Sequence, residues 1–385
     1  MKETTQSEEK AVQSSITSTG SVDAKVIFDL KADISTMIPP AIEKKQSMRG
    51  FDEDYTDIVD YIVRCTYKIW DEHNIGLIYT HYSHRSLAHM PHGLVYGREK
   101  VVQATIGAQN AFPDFKLHVD DVIWRGNDED GFDTSMPSTA VGTNSGWSMY
   151  GPPTNRTICR RGIANCFTRD NKIIEEWVVH DDVTTVVQLG LDLDTVISNL
   201  VESGYCEEIA EKESASIERV HGEELPAPLP PLPKDADDVL GLIRRSVQEI
   251  FNWRMIGKVD DYFDEQYFHR GCRNLDYSGQ AEYKKLLLQW LSLFPDAQLI
   301  IEDIYYNGNV KDGYRSSTRW KMVGTHLGNG IYGPPTGLRV EIMGITNHTI
   351  KQGKFVEALS VYADLETAVR IERARRKKTA EQDIQ

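Results

Sequence analysis

The chain has no long apolar run. No stretch approaches the roughly 18 consecutive hydrophobic residues that a bilayer-spanning helix needs, so no membrane partner is expected. The opening residues, MKETTQSEEKAVQSSITSTG, contain no apolar segment of the kind found in a secretory leader. Cysteine is scarce and unpaired in pattern. The five residues Cys65, Cys159, Cys166, Cys206 and Cys272 are odd in number, widely spaced and form no CxxC motif. That usage points to reduced, mostly buried thiols in a cytoplasmic protein rather than a disulfide frame. Positive charge is in deficit, with 43 Lys and Arg against 58 Asp and Glu and a net charge of -15. A phosphate backbone would be repelled, so no nucleic-acid partner is expected. The dense basic cluster Arg370, Arg373, Arg375, Arg376, Lys377, Lys378 reads as a solvated helical end. P-loop, GxGxxG and nucleophile-elbow motifs are missing too, and no cofactor is expected.

What is present is a duplication. At 385 residues, the chain is long enough for two cores plus tails. Residues 1–50, rich in Ser, Thr, Glu and Lys, read as a disordered or docking arm. A helical pattern over about 54–76 puts Ile58, Ile62, Cys65 and Ile69 on one face. A break with five prolines falls within Glu223–Asp235, where extended geometry makes a semi-rigid linker. Beyond it, the first half returns at a constant offset of 182 residues. Gly97 falls on Gly279, Phe112-Pro113-Asp114 on Phe294-Pro295-Asp296, and Gly142-Thr143 on Gly324-Thr325. Tyr150-Gly151-Pro152-Pro153-Thr154 falls on Tyr332-Gly333-Pro334-Pro335-Thr336, and Asp182 on Asp364. A period this long makes each unit a whole domain rather than a solenoid repeat. The expected layout is domain 1 at 51–200, a linker at 201–235, domain 2 at 236–372 and a basic tail at 373–385. Within each unit helices precede alternating strands, an α+β order.

These landmarks resemble the SnoaL-like polyketide cyclase (ester cyclase) family of the NTF2-like superfamily. The residues that carry the resemblance are Gly97-Arg98-Glu99, Phe112-Pro113-Asp114, Gly142-Thr143-Asn144 and Lys172-Ile173-Ile174-Glu175-Glu176-Trp177, followed by Asp181 and Gln188-Leu189-Gly190. The second copy repeats them with Gly324-Thr325-His326, Gly333-Pro334-Pro335-Thr336-Gly337 and Gly353-Lys354. The resemblance implies two tandem cone-shaped domains, each an antiparallel sheet curved around helices. Such domains pair through their sheets, so an intrachain pseudo-dimer is expected, with a homodimer of chains as a further option. It also implies a cofactor-independent acid/base enzyme, whether cyclase, isomerase, hydratase/dehydratase or hydrolase. The substrate would be a small carbonyl, ester or hydroxylated molecule in the domain 1 pocket. A non-catalytic ligand-binding or assembly protein is the alternative.

Asp181 takes the position of the family's catalytic aspartate. On a strand it shares a face with Trp177 and Val179, whose apolar surroundings would raise its pKa; alternatively, it caps the helix that follows. In the second copy this position is Ala363, which favours the first lobe as the catalytic one. His89 is the second catalytic candidate, and His269 aligns with it in the second copy. His92, Asn144, Trp177, Trp147 and Tyr82 are candidates for substrate contact. The histidines His81, His84, His89 and His92 do not have zinc-site spacing, and no metal is expected.

Overall fold

The computed structural model describes residues 44–207 and 229–383, so most of the expected arm and part of the linker lie outside the described residues. The first lobe opens with α1 (Ile58–Trp70), whose N-cap Asp57 accepts from the backbone N–H of Asp60. The four residues read as its apolar face are buried, as expected, but the helix is shorter than the 54–76 pattern. Then come α2 (Ile78–His81), β1 (Tyr82–Met90), β2 (Gly93–Tyr96) and α3 (Arg98–Ala111). The sheet is completed by β3 (Lys116–Val119), β4 (Ile123–Asn127), β5 (Gly131–Thr143), β6 (Thr157–Arg169) and β7 (Lys172–His180). Two helices close the lobe, α4 (Asp182–Gln188) and α5 (Leu193–Glu202).

The second lobe repeats the plan. Helix α6 (Val239–Ser246) continues into one π-helical stretch, Val247–Asn252, and is followed by α7 (Val259–Tyr262), β8 (Phe263–Arg270), β9 (Asp276–Ser278) and α8 (Gly279–Leu293). Strands β10 (Gln298–Asn309), β11 (Gly313–Thr325), β12 (Arg339–Lys351) and β13 (Lys354–Tyr362) lead to α9 (Asp364–Asp383). Strand order is β2-β1-β7-β6-β5-β3 in the first lobe, with β4 also on β5, and β10-β11-β12-β13-β8-β9 in the second. Neither sheet is wholly antiparallel. β1 runs parallel to β7, and β8 to β13, because each strand pair is joined through the helix and the long meander that follows it.

Helix α9 runs unbroken through the boundary expected at 372/373, so the basic cluster is part of the second lobe. It packs on α5, which itself occupies the end of the first lobe. Arg373 donates to the carbonyl of Tyr205, Arg376 to Ser198 Oγ and Glu202, and Arg375 to the carbonyl of Tyr332.

Each sheet has an inner face on its helices and an outer face on the other lobe. Ile163 and Val179 of the first outer face meet Ile345 and Val361 of the second, all of them fully buried. These are the same two positions taken twice at the repeat offset, so the contact is self-complementary in the way of a two-fold dimer. Polar pairs obey the same symmetry. Asn347 Nδ2 donates to Ser135 Oγ (3.0 Å), and its repeat equivalent Asn165 donates to Ser317 Oγ (3.2 Å). At the rim the pairing departs from the symmetry: Arg125 pairs with Asp303 (2.9 Å) and Arg315 with Asp121, although the repeat equivalent of Arg125 is Asn307 and that of Arg315 is Asp133. The expected intrachain pseudo-dimer is therefore how the two lobes pack.

Asn307 spans this interface, accepting from the Trp124 backbone N–H (2.7 Å) and donating to the Trp124 carbonyl (2.6 Å). Asn307→Ala leaves both buried backbone groups without partners, each worth about 1–3 kcal/mol. Its urea midpoint should fall by an amount equivalent to about 2–4 kcal/mol; a midpoint equal to wild type would mean that this bridge is replaced by water at no cost.

Candidate functional site

The inner faces of the two sheets carry different chemistry on matched rows. In the second lobe His269 on β8 pairs with Ala358 on β13, and Ala358 with His348 on β12. In the first lobe the corresponding row is Ala88 on β1, Glu176 on β7 and Cys166 on β6. One lobe thus holds two imidazoles flanking a methyl group, the other a carboxyl between a methyl group and a thiol. This register also corrects an alignment. His269 corresponds to Ala88, and His89 corresponds to Arg270 on the opposite face.

The second-lobe row opens into a cavity of about 420 Å³ beneath α6 and α8, within the range of small-molecule sites. Phe263, Tyr283, Trp290, Leu287 and Tyr362 form an apolar and aromatic wall. A hydroxyl row crosses the sheet side one step further along. Trp320 Nε1 donates to Thr346 Oγ1 (2.9 Å), which contacts Ser360 Oγ (2.8 Å), with Thr318 in the same register. The first lobe has Met136, Ala164 and Val178 at these positions. Among the described residues no carboxylate lines the second-lobe cavity. The cation on its lining, Arg273, is already paired with Asp364 (2.7 Å).

Burial pushes the His269 imidazole down to about 4, against a small upward pull from Asp276. Burial pushes His348 down to about 3, helped by the neighbouring His269. Both rings are therefore neutral near pH 7, each able to donate at one nitrogen and accept at the other. His269 Nδ1 is 3.1 Å from the hydroxyl of Tyr267, which orients that ring. Nδ1 of His348 is buried and has no hydrogen-bond partner, and the ring packs against Phe355. A buried polar nitrogen left unmatched costs about 1–3 kcal/mol, and the rest of this ring borders the hollow.

The first lobe keeps its charge closer to protein. Tyr82, a residue expected to touch substrate, donates to Glu176 Oε2 (3.2 Å) beside Cys65 and Cys166. Burial raises Glu176 to about 7, with the Tyr82 hydrogen bond pulling weakly the other way. At the end of the same strand Asp182 receives Tyr150 (2.8 Å) and Arg160 (3.0 Å). Its repeat equivalent Asp364 receives Tyr332 (2.8 Å) and Arg273. The residues kept in both copies thus tie the strand–helix junction in each.

Asp181 is not a pocket carboxylate. It is the N-cap of α4, accepting from the Thr184 backbone N–H (3.1 Å) and Thr184 Oγ1 (2.5 Å). Its second oxygen also accepts from the backbone N–H of Asn274 in the other lobe (3.1 Å). Trp177, Val179 and Asp181 do share a face, but it is the outer one. His89 stacks on Trp177 with ring centroids 4.9 Å apart and bonds Glu175 (2.7 Å). The Arg319 guanidinium of the second lobe covers the Trp177 ring at 3.6 Å. His89, His92, Trp177 and Arg319 border a cleft of about 700 Å³ between the lobes. That cleft is larger than the second-lobe cavity, but its charges neutralise one another, Lys321 pairing with both Glu302 and Glu341. Asn144 is fully buried, with its amide on the carbonyls of Ala111 and Gly146 and its oxygen on Thr154, so it braces a loop and faces no ligand. Trp147 is 69% exposed. Among the described residues no group of three or more His, Cys, Asp or Glu could hold a metal ion, and no helix is long and apolar enough to cross a membrane.

The residues missed in the sequence were Glu176 and His348. The available signal was a difference rather than a match: at the repeat offset Cys166 becomes His348 and Glu176 becomes Ala358 inside otherwise parallel strands.

The chain belongs to the SnoaL-like polyketide cyclase family, whose model matches residues 61–189 and again 241–369. Among solved structures it is similar to AclR of Streptomyces galilaeus, a proposed hydroxylase, at 25% identity over 35% of this chain and 84% of that one, with a TM-score of 0.30. It is also similar to IdmH of Streptomyces antibioticus, a proposed polyketide cyclase, at 24% identity over 34% of this chain and 98% of that one, with a TM-score of 0.31. A proposed SnoaL-like polyketide cyclase from Jannaschia sp. CCS1 aligns at 16% identity over 36% of this chain and 92% of that one, with a TM-score of 0.31. The curated proteins searched give no match.

Glu176 binds its proton more tightly in the folded chain than in the unfolded one, so it supports the fold fully below about pH 4.5. That support should be lost as pH rises through about 7, a change on the order of 3 kcal/mol. Glu176→Gln should be more stable than wild type at pH 8 and close to it at pH 4.5, read from urea midpoints at the two values. Equal midpoints at both would mean that the carboxyl is solvated.

Proposed function

We propose that the second lobe is the working site. It binds a small uncharged molecule carrying a carbonyl or hydroxyl group and moves a proton on it with His269 and His348, without a cofactor. The observation that carries this reading is the pair His269 and His348 on one wall of an apolar cavity, the second ring with no protein partner at Nδ1. Two strand spacings of about 4.8 Å separate the imidazoles, leaving room for one small functional group between them. A neutral imidazole polarises a carbonyl by donating a hydrogen bond, and its partner across the row accepts the proton from the adjacent carbon. Membership of a cyclase family agrees with cofactor-independent acid/base chemistry of this kind. The uncharged wall, with Arg273 already neutralised by Asp364, disfavours carboxylates and phosphates.

A second reading, ligand binding without turnover, is favoured by one observation. The positions that hold Glu176 and Asp181 in the first lobe are Ala358 and Ala363 in the second. The two readings separate in a single experiment. Full-length protein is incubated in D2O with a panel of enolisable ketones and esters, and deuterium uptake at carbon is followed by mass spectrometry. Turnover at the imidazoles predicts exchange above buffer that falls about 100-fold or more in His348→Gln, with KM within a few-fold. Binding of panel members without exchange by the wild type would leave the binder reading. Binding of none of them would remove both.

A further inference from the structure

The loop Gly271–Leu275 joins β8 to β9 and forms one lip of the second-lobe cavity. Cys272, Arg273 and Leu275 line the hollow, and Leu275 is 49% exposed while Ile331 on the opposite lip is 53% exposed, which puts the mouth between them. The first lobe has no such lip. Its equivalent hairpin closes with the two residues Pro91 and His92 between paired Met90 and Gly93, whereas five residues separate the paired Arg270 and Asp276.

The lip is bent through two successive left-handed residues, Arg273 (φ 62) and Asn274 (φ 52). For a residue with a side chain this conformation costs about 1 kcal/mol or more and persists only where neighbours hold it. Two of the holding groups come from the first lobe. Asp181 accepts from the Asn274 backbone N–H at 3.1 Å, using the carboxylate that also caps α4. Arg161 forks onto Asp276, at 2.7 Å and 3.3 Å, and reaches the Gly271 carbonyl at 3.5 Å. The anchors therefore fall on both ends and the centre of the lip. From its own lobe the lip is tied by Arg273 to Asp364 and by Cys272 Sγ to the Tyr362 backbone.

We propose that the first lobe clamps the mouth of the second-lobe cavity: Asp181 and Arg161 are positioning residues that hold the Gly271–Leu275 lip shut and so set how long a bound molecule stays. The proposal rests on the reading of that cavity as a ligand site. It gives the carboxylate at the aspartate position of the first lobe a task in the other lobe's pocket. It also makes closure of the mouth depend on the lobes being docked.

The test uses the full chain and an uncharged naphthyl ketone dye, 6-propionyl-2-(dimethylamino)naphthalene, with dissociation followed by stopped-flow fluorescence. Asp181→Ser keeps a hydroxyl for the helix cap but is too short to reach Asn274, and Arg161→Ala removes the second anchor. Each should speed dissociation about tenfold, with association changed less than threefold. Arg125→Ala, which cuts a cross-lobe ion pair far from the lip, should change dissociation less than twofold. Hydrogen exchange of the peptide covering residues 271–276 should accelerate at least tenfold in Asp181→Ser. Unchanged dissociation and unchanged exchange in the folded double variant would overturn the clamp. If the wild type fails to bind the dye, the ligand-site reading is weakened, and the exchange measurement alone decides whether the lip is held by the first lobe.

Discussion

The structure depends on how two outer sheet faces cover each other. Ile163, Val179, Ile345 and Val361 form a dry patch that neither lobe could leave exposed without a solvent-facing apolar stripe. Fully burying such side chains is worth about 1.5–3 kcal/mol each. Around the patch, the paired Ser and Asn bridges satisfy polar groups that burial would otherwise leave unmatched. Because the same positions contribute from each repeat, a contact suited to two identical subunits works within one chain.

Duplication with a shared interface frees the inner faces to diverge. The outer positions are held by their partner lobe, so changes there disturb two domains at once. Inner positions answer only to their own lobe. The rows Ala88–Glu176–Cys166 and His269–Ala358–His348 show the result, with ionisable groups exchanged for methyl groups at matched registers. Burial acts on the two sets in opposite senses, raising the Glu176 carboxyl toward its neutral acid form and lowering the imidazoles toward their neutral base form.

Asp181 shows where local reasoning changes its answer in three dimensions. Its spacing from Trp177 and from Gln188 matches a family position for catalysis, and its strand neighbours are apolar as a pocket would require. The neighbours are apolar because they face the other lobe. The same carboxylate lies at a helix start, where the unpaired N–H groups of the first turn compete for it. Tyr82, by contrast, was picked from the sequence and does face inward, where it meets a carboxyl that had not been singled out.

The sequence alone determined the duplication, the α+β order, the apolar face of α1 and the family, because repeated words at one offset and periodic patterns are local properties. Strand alternation also determined that Trp177, Val179 and Asp181 share a face. Which face of β7 packs on its own helices and which on the other lobe was decided only by the tertiary structure. Both faces of each sheet are covered, one by helices and the other by the partner lobe, so both read as apolar, and period-two patterning separates them without saying which is inside. The His269–Ala358–His348 row likewise joins residues from three strands whose register is fixed by pairing over distances the sequence does not encode locally.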